Sequence, residues 1–142
     1  MKIQLTLNHG TVISATLADH RTAEDFVAML PLTLTLHDLF RREKFGPLPG
    51  PVSGRGTREQ AYAVGDIVCW TAGPDLAILH RQDGQPLRGG FELLGRLDFG
   101  AELFAVPGPI DVTIALAAPA HAGLTTAGCP APAAAEGARA TT

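Results

Sequence analysis

Residues 62 to 81 read YAVGDIVCWTAGPDLAILHR, from Tyr62 to Arg81. Ile67, Val68, Cys69 and Trp70 form one apolar run, Leu76, Ala77, Ile78 and Leu79 form another, and Thr71-Ala72-Gly73-Pro74-Asp75 lies between them. Two runs of strand length around a short Gly/Pro/Asp connection predict a β-hairpin. Gly65-Asp66 ahead of the first run and Asp83-Gly84 beyond the second supply turn residues that bound it. Because alternate side chains of a strand point to opposite faces, a strand apolar on consecutive positions must be covered on both. The pair is therefore expected at the centre of a closed or sandwiched sheet.

On the N-terminal side, Ile3, Leu5 and Leu7 alternate with Lys2, Gln4 and Thr6, the pattern of a half-buried strand. Asn8-His9-Gly10 tolerates positive φ, and Thr11 to Leu17 resumes β-branched character, so an antiparallel hairpin is predicted with His9 solvated at its turn. Thr22 followed by Asp25 predicts a helix N-cap, with Ala23, Phe26, Val27 and Leu30 at helical spacing until Pro31. Leu32, Leu34 and Leu36 then alternate with Thr33, Thr35 and His37, which predicts a strand with a polar face.

From Phe40 to Gln60 the glycines and prolines break any period, and a long loop is expected there, with a basic excess from Arg41, Arg42, Lys44, Arg55 and Arg58. Beyond the central hairpin, strands are predicted over Phe91 to Leu97 and Ile110 to Ala117, separated by a short turn near Ala101 to Phe104. After Ala117 the one large apolar residue is Leu124, too little to offset the entropy of ordering. A folded domain over 1–117 and a disordered Ala/Pro/Gly/Thr-rich tail over 118–142 are expected.

Three pieces in order carry a resemblance: LPLTLTLHDL from Leu30 to Leu39 followed by Glu43-Lys44 and Leu48-Pro49, GDIVCW-x-x-G-x-x-LAI from Gly65 to Ile78, and LLGRLDFG from Leu93 to Gly100. The chain resembles a family of small, mostly uncharacterised bacterial proteins with a cyclophilin-like fold. The resemblance implies a mainly β architecture, a closed antiparallel β-barrel with one or two short helices, and a pocket. It implies no defined activity, since a fold does not carry a function with it.

With 142 residues the chain suits one domain. Eleven basic and fourteen acidic side chains give a formal net charge of −3, too balanced for a nucleic-acid or membrane binder and compatible with a small molecule or a peptide as partner. No signal-type or membrane-spanning apolar run is present, and Cys69 and Cys129 do not make a disulfide framework, so a reduced, cytoplasmic location is expected.

Catalytic motifs are missing. There is no G-x-S-x-G elbow, no C-x-x-C and no histidine pair at zinc-ligand spacing; His37 and His80 could converge with Asp38 or Glu43 in space, but no metal, cofactor or catalytic residue is assigned. The resemblance raises prolyl isomerisation, for which cyclophilins use an arginine in an F-H-R element followed by F-M-Q-G-G-D. The string His80-Arg81-Gln82-Asp83-Gly84 lacks both the phenylalanine and the following element, so that role does not transfer to Arg81. The reading is a non-catalytic binding domain with its groove beside the 43–62 loop. Glu43 and Lys44, which match the family's recurring Glu-Lys, Tyr62 and Trp70 as amphipathic rings, and His80 are the expected ligand-facing residues. A divergent prolyl isomerase and a structural domain that oligomerises through a strand edge are the alternatives, and the oligomeric state is left open.

Overall fold

The computed structural model describes residues 1–8, 10–54 and 57–117. The readings of His9 and of the 118–142 tail lie outside the described residues. In chain order the elements are β1 (Lys2–Leu7), β2 (Val12–Leu17), α1 (Arg21–Val27), β3 (Leu32–Leu39), β4 (Glu43–Pro47), β5 (Thr57–Gln60), β6 (Asp66–Trp70), β7 (Asp75–Leu79), β8 (Leu87–Leu97), a 3-10 turn (Ala101–Phe104) and β9 (Ile110–Leu116).

The strand order β2-β1-β9-β3-β4-β7-β6-β8 returns from β8 to β2 and closes an eight-stranded antiparallel barrel, with β5 added along the N-terminal half of β8. At the closing seam Ala15 pairs with Leu97, Thr16 with Arg96 and Leu17 with Gly95. A Cβ on Gly95 would run into the Thr16 carbonyl oxygen and come within 2.8 Å of the Leu17 Cα. Only glycine lets the two backbones approach this closely.

The central hairpin forms as β6 and β7, and its continuous apolar runs have a physical reason. Ile67, Cys69, Leu76 and Ile78 point into the barrel, where they join Ile3, Leu5, Ile13, Leu36, Leu94, Val112 and Ile114. Val68, Ala77 and Leu79 point outward, under a second cluster built with Tyr62, Leu87 and Phe91. Each fully buried Leu or Ile contributes roughly 1.5–3 kcal/mol, so a hairpin sheltered on both sides is the best-anchored part of the fold.

Three local expectations are corrected. The N-cap of α1 is His20, whose Nδ1 accepts from the Ala23 amide, while the buried Thr22 hydroxyl donates to the Ser53 carbonyl. The loop expected from Phe40 to Gln60 contains two strands, so no continuous loop over 43–62 borders a groove: β4 is a barrel strand between β3 and β7. Its Gly46 and Pro47 look like loop residues, but a Cβ at position 46 would come within 2.8 Å of the Thr35 carbonyl oxygen, and glycine is what lets β4 lie there. Finally, β8 begins at Leu87 rather than Phe91, passing through Gly89 and Gly90 at φ of 99° and 77°. No helix among the described residues is long and apolar enough to cross a membrane.

Candidate functional site

Strand periodicity places a polar group at one mouth of the barrel. Leu34 and Leu36 of β3 are core residues, and Asp38, two further on, continues their face at the end of the strand. Lys44 of β4 pairs with Asp38 on one side and with Ile78 of β7 on the other. His80 follows Ile78 by two. The inner face of the barrel thus changes from apolar to charged at this end.

The three side chains meet. Lys44 Nζ lies 3.2 Å and His80 Nε2 3.0 Å from Asp38 Oδ1. Lys44 Nζ also donates to the Val106 carbonyl at 2.5 Å and the Gly108 carbonyl at 2.7 Å. An ammonium has three protons and finds three acceptors here, which is what permits a lysine with 0% exposure. Through these bonds Lys44 holds the segment between the 3-10 turn and β9 against the barrel mouth. Partial burial alone would push the Asp38 carboxyl up, but hydrogen bonds from His80 and Lys44 outweigh it and hold the group below the usual carboxylate range.

The turn between β3 and β4 is closed by the Arg42 amide donating to the Leu39 carbonyl, and its two central residues, Phe40 and Arg41, have φ of 57° and 50°. That combination suits Asn and Gly; in other residues with a Cβ it costs roughly 1–2 kcal/mol each. The Arg41 amide donates to Asp38 Oδ2, fixing the turn to the polar group. Behind it, the Arg42 guanidinium donates to Glu43 Oε2 at 2.6 Å and lies 5.5 and 5.8 Å from the Phe40 and Tyr62 ring centres. Burial pushes the Glu43 carboxyl up, against the pull of Arg42. The Tyr62 hydroxyl donates to the Arg81 carbonyl at 2.7 Å and accepts from the Asp83 amide, so this ring shapes the turn that presents Arg81.

Between these two turns and the segment from Ala105 to Gly108 lies a cleft of about 750 Å³, lined by Asp38, Arg41, His80 and Arg81 on the barrel side. Among the described residues, none that lines it carries a hydroxyl or thiol. His80 Nε2 is engaged by Asp38, and its Nδ1 is buried and without a hydrogen-bond partner among the described residues, so the imidazole offers the cleft no free base. The arrangement can bind and orient. Its described lining residues include no hydroxyl or thiol nucleophile of the kind acyl-transfer chemistry uses.

Of the residues expected from sequence, Glu43, Lys44, Tyr62 and His80 gather at this end, but only His80 lines the cleft; Lys44, Glu43 and Tyr62 are buried supports. Trp70 stands apart. Its indole N–H donates to the Arg88 carbonyl and its ring packs 5.9 Å from Phe91, at the opposite end of the β6–β7 hairpin. Five residues of strand, roughly 16 Å, separate Asp75, its pairing partner, from His80. His37 is exposed on the outside beside Phe45 and does not join His80. Asp38 and Arg41 are outside the set of ligand-facing residues expected from sequence, although counting by two from Leu36 finds Asp38 and Arg41 belongs to the basic excess after Phe40. Among the described residues no group of three His, Cys, Asp or Glu side chains is placed to hold a metal ion.

A model of the family described as cyclophilin-like matches residues 5–115. The solution structure of a hypothetical protein from Archaeoglobus fulgidus is similar in fold, with a TM-score of 0.62 at 14% identity, over 82% of this chain and 95% of that one. No curated protein matches the chain.

Proposed function

The chain belongs to the cyclophilin-like family, and from that premise we propose that it is a non-catalytic binding domain whose ligand, a small molecule or an extended peptide, occupies the cleft at the mouth of the barrel. The observation that carries this reading is the cleft itself: about 750 Å³, within the usual range for ligand sites, with its walls held from behind by Lys44 and Tyr62. Walls that are already fixed need little reordering when a ligand arrives, which favours affinity. The balanced charge of the chain favours such a ligand over nucleic acid or a membrane surface.

One observation favours prolyl isomerisation as the second reading. Arg81 shares the cleft with the apolar residues Ala105, Val106 and Pro107, and an arginine beside an apolar surface is what that reaction uses. NMR exchange spectroscopy on Xaa-Pro peptides separates the two. The binding reading expects shifted amides at residues 105, 106 and 108 with cis/trans exchange at its uncatalysed rate. Exchange that accelerates, and slows again in Arg81→Ala, would make the protein an isomerase.

A further inference from the structure

The basic side chains of this domain are distributed unevenly with respect to their partners. Lys2, Arg21, Arg42, Lys44, Arg88 and Arg96 each lie within 3.8 Å of a carboxylate. Among the described side chains, those of Arg41 and Arg81 form no such pair, and both line the cleft. Asp83 feels the charge of Arg81, but the cation it approaches, at 3.6 Å, is Arg42. The two turns that carry the cleft arginines are tied together. Arg81 Nε donates to the Arg41 carbonyl at 2.7 Å, and the His80 and Arg81 amides both donate to the Arg42 carbonyl. Two arginines on crosslinked turns thus border one cleft, one of them in a turn whose φ values are unfavourable for its residues.

Asp38 does not neutralise them. Its oxygens are occupied by Lys44, His80 and the Arg41 amide, and its charge is balanced by the buried ammonium. The remaining positive charge matches an anion, and planar guanidinium groups match the planar two-oxygen geometry of a carboxylate. The wall of Ala105, Val106 and Pro107 suits an apolar body. We propose that the ligand is a small organic carboxylate, its acid group on Arg41 and Arg81 and its apolar part against residues 105–107; this rests on the cleft being the binding site.

The test uses the full chain labelled with nitrogen-15 and three probes: phenylacetate, its neutral amide phenylacetamide, and phenyl phosphate. Phenylacetate is expected to move the Nε–H resonances of Arg41 and Arg81 and the amides of 105, 106 and 108, and the amide probe to bind far more weakly. Raising the salt concentration should weaken phenylacetate binding to the wild type. Arg41→Gln and Arg81→Gln should each weaken it roughly tenfold, the scale of a lost charge-assisted hydrogen bond. If either variant fails to fold, the acid-against-amide comparison and the salt dependence in the wild type still decide. Equal binding of acid and amide would overturn the anion assignment and leave the cleft standing as the site. Tighter binding of phenyl phosphate than of phenylacetate would overturn the choice of carboxylate. If none of the probes moves a resonance at the cleft, both the ligand class and the binding site are wrong.

Discussion

Lys44 Nζ stands 3.2 Å from Asp38 Oδ1 across the β3–β4 pair, on a side chain with no surface open to water. Lys44→Met would leave Asp38 without its cation and the Val106 and Gly108 carbonyls without their donor. Removing one partner of a buried ion pair typically costs 3–5 kcal/mol, and since Asp38 keeps some contact with solvent we expect about 3 kcal/mol in urea unfolding. Amide hydrogen exchange at 106 and 108 should quicken in the same variant. A loss below about 1 kcal/mol would mean that the mouth segment is held by something else.

Replacing Phe40-Arg41 by Asn-Gly places residues suited to positive φ at both central turn positions. Phe40 is exposed, so little packing is given up, and stability in urea should rise by about 1 kcal/mol. Phenylacetate binding at the cleft should weaken roughly tenfold in the same protein, because Arg41 is gone. A variant that is both less stable and an unimpaired binder would contradict the assignment of this turn.

Asp98 accepts from Lys2, Ser14 and Thr16, and these bonds pull its carboxyl down to about 2. A folded-state pKa below the unfolded one contributes stability that is complete above the unfolded value of about 4 and is lost as pH falls through the folded one. Asp98→Asn should therefore lower the thermal midpoint at pH 7, and the gap from wild type should close as the pH falls toward about 2. A gap that stays constant over that window would rule out the linkage.

Burial pushes the Cys69 thiol up to about 12, with Asp75 and Glu92 adding to the effect. With Cys129 replaced by serine, iodoacetamide should modify Cys69 only through unfolding, at roughly a thousandth of the rate in urea or less. Labelling at a rate comparable to that of a free thiol would mean that β6 opens locally.

Gly95→Ala puts a methyl group into the Thr16 carbonyl at the β2–β8 seam. The nearest atoms on both sides of the clash are backbone, so the seam must part, and a loss of about 3 kcal/mol or more is expected in urea unfolding. A change under about 1 kcal/mol would show that the seam has slack that the geometry denies.

The hairpin at 66–79 was legible because burial on both faces writes continuous apolar runs into the sequence. The cap of α1 was not, since His20 capping through Nδ1 lies outside the usual Ser/Thr/Asp/Asn preference and Thr22 offered that signal two residues later. Strand β4 was hidden because both its faces are buried while two of its five residues are charged: Glu43 faces outward beside Leu79, Lys44 inward at the mouth. The Glu-Lys pair drew attention to the right place for a different reason, since these residues support the cleft from behind rather than line it. Arg41 and Arg81 sit far apart in the chain, and only the β4–β7 pairing makes them neighbours.

The closed barrel also limits how copies of this domain could grow into larger arrays. An ordinary sheet has two open edges, but here one seam consumes both, and among the described residues β5 alone ends the strand order. Two copies joined antiparallel through β5 would use up each other's edge at once. Growth by strand addition through β5 would stop at a two-fold pair, because in the described strand order a barrel joined in this way has no second terminal strand from which a fibre could propagate.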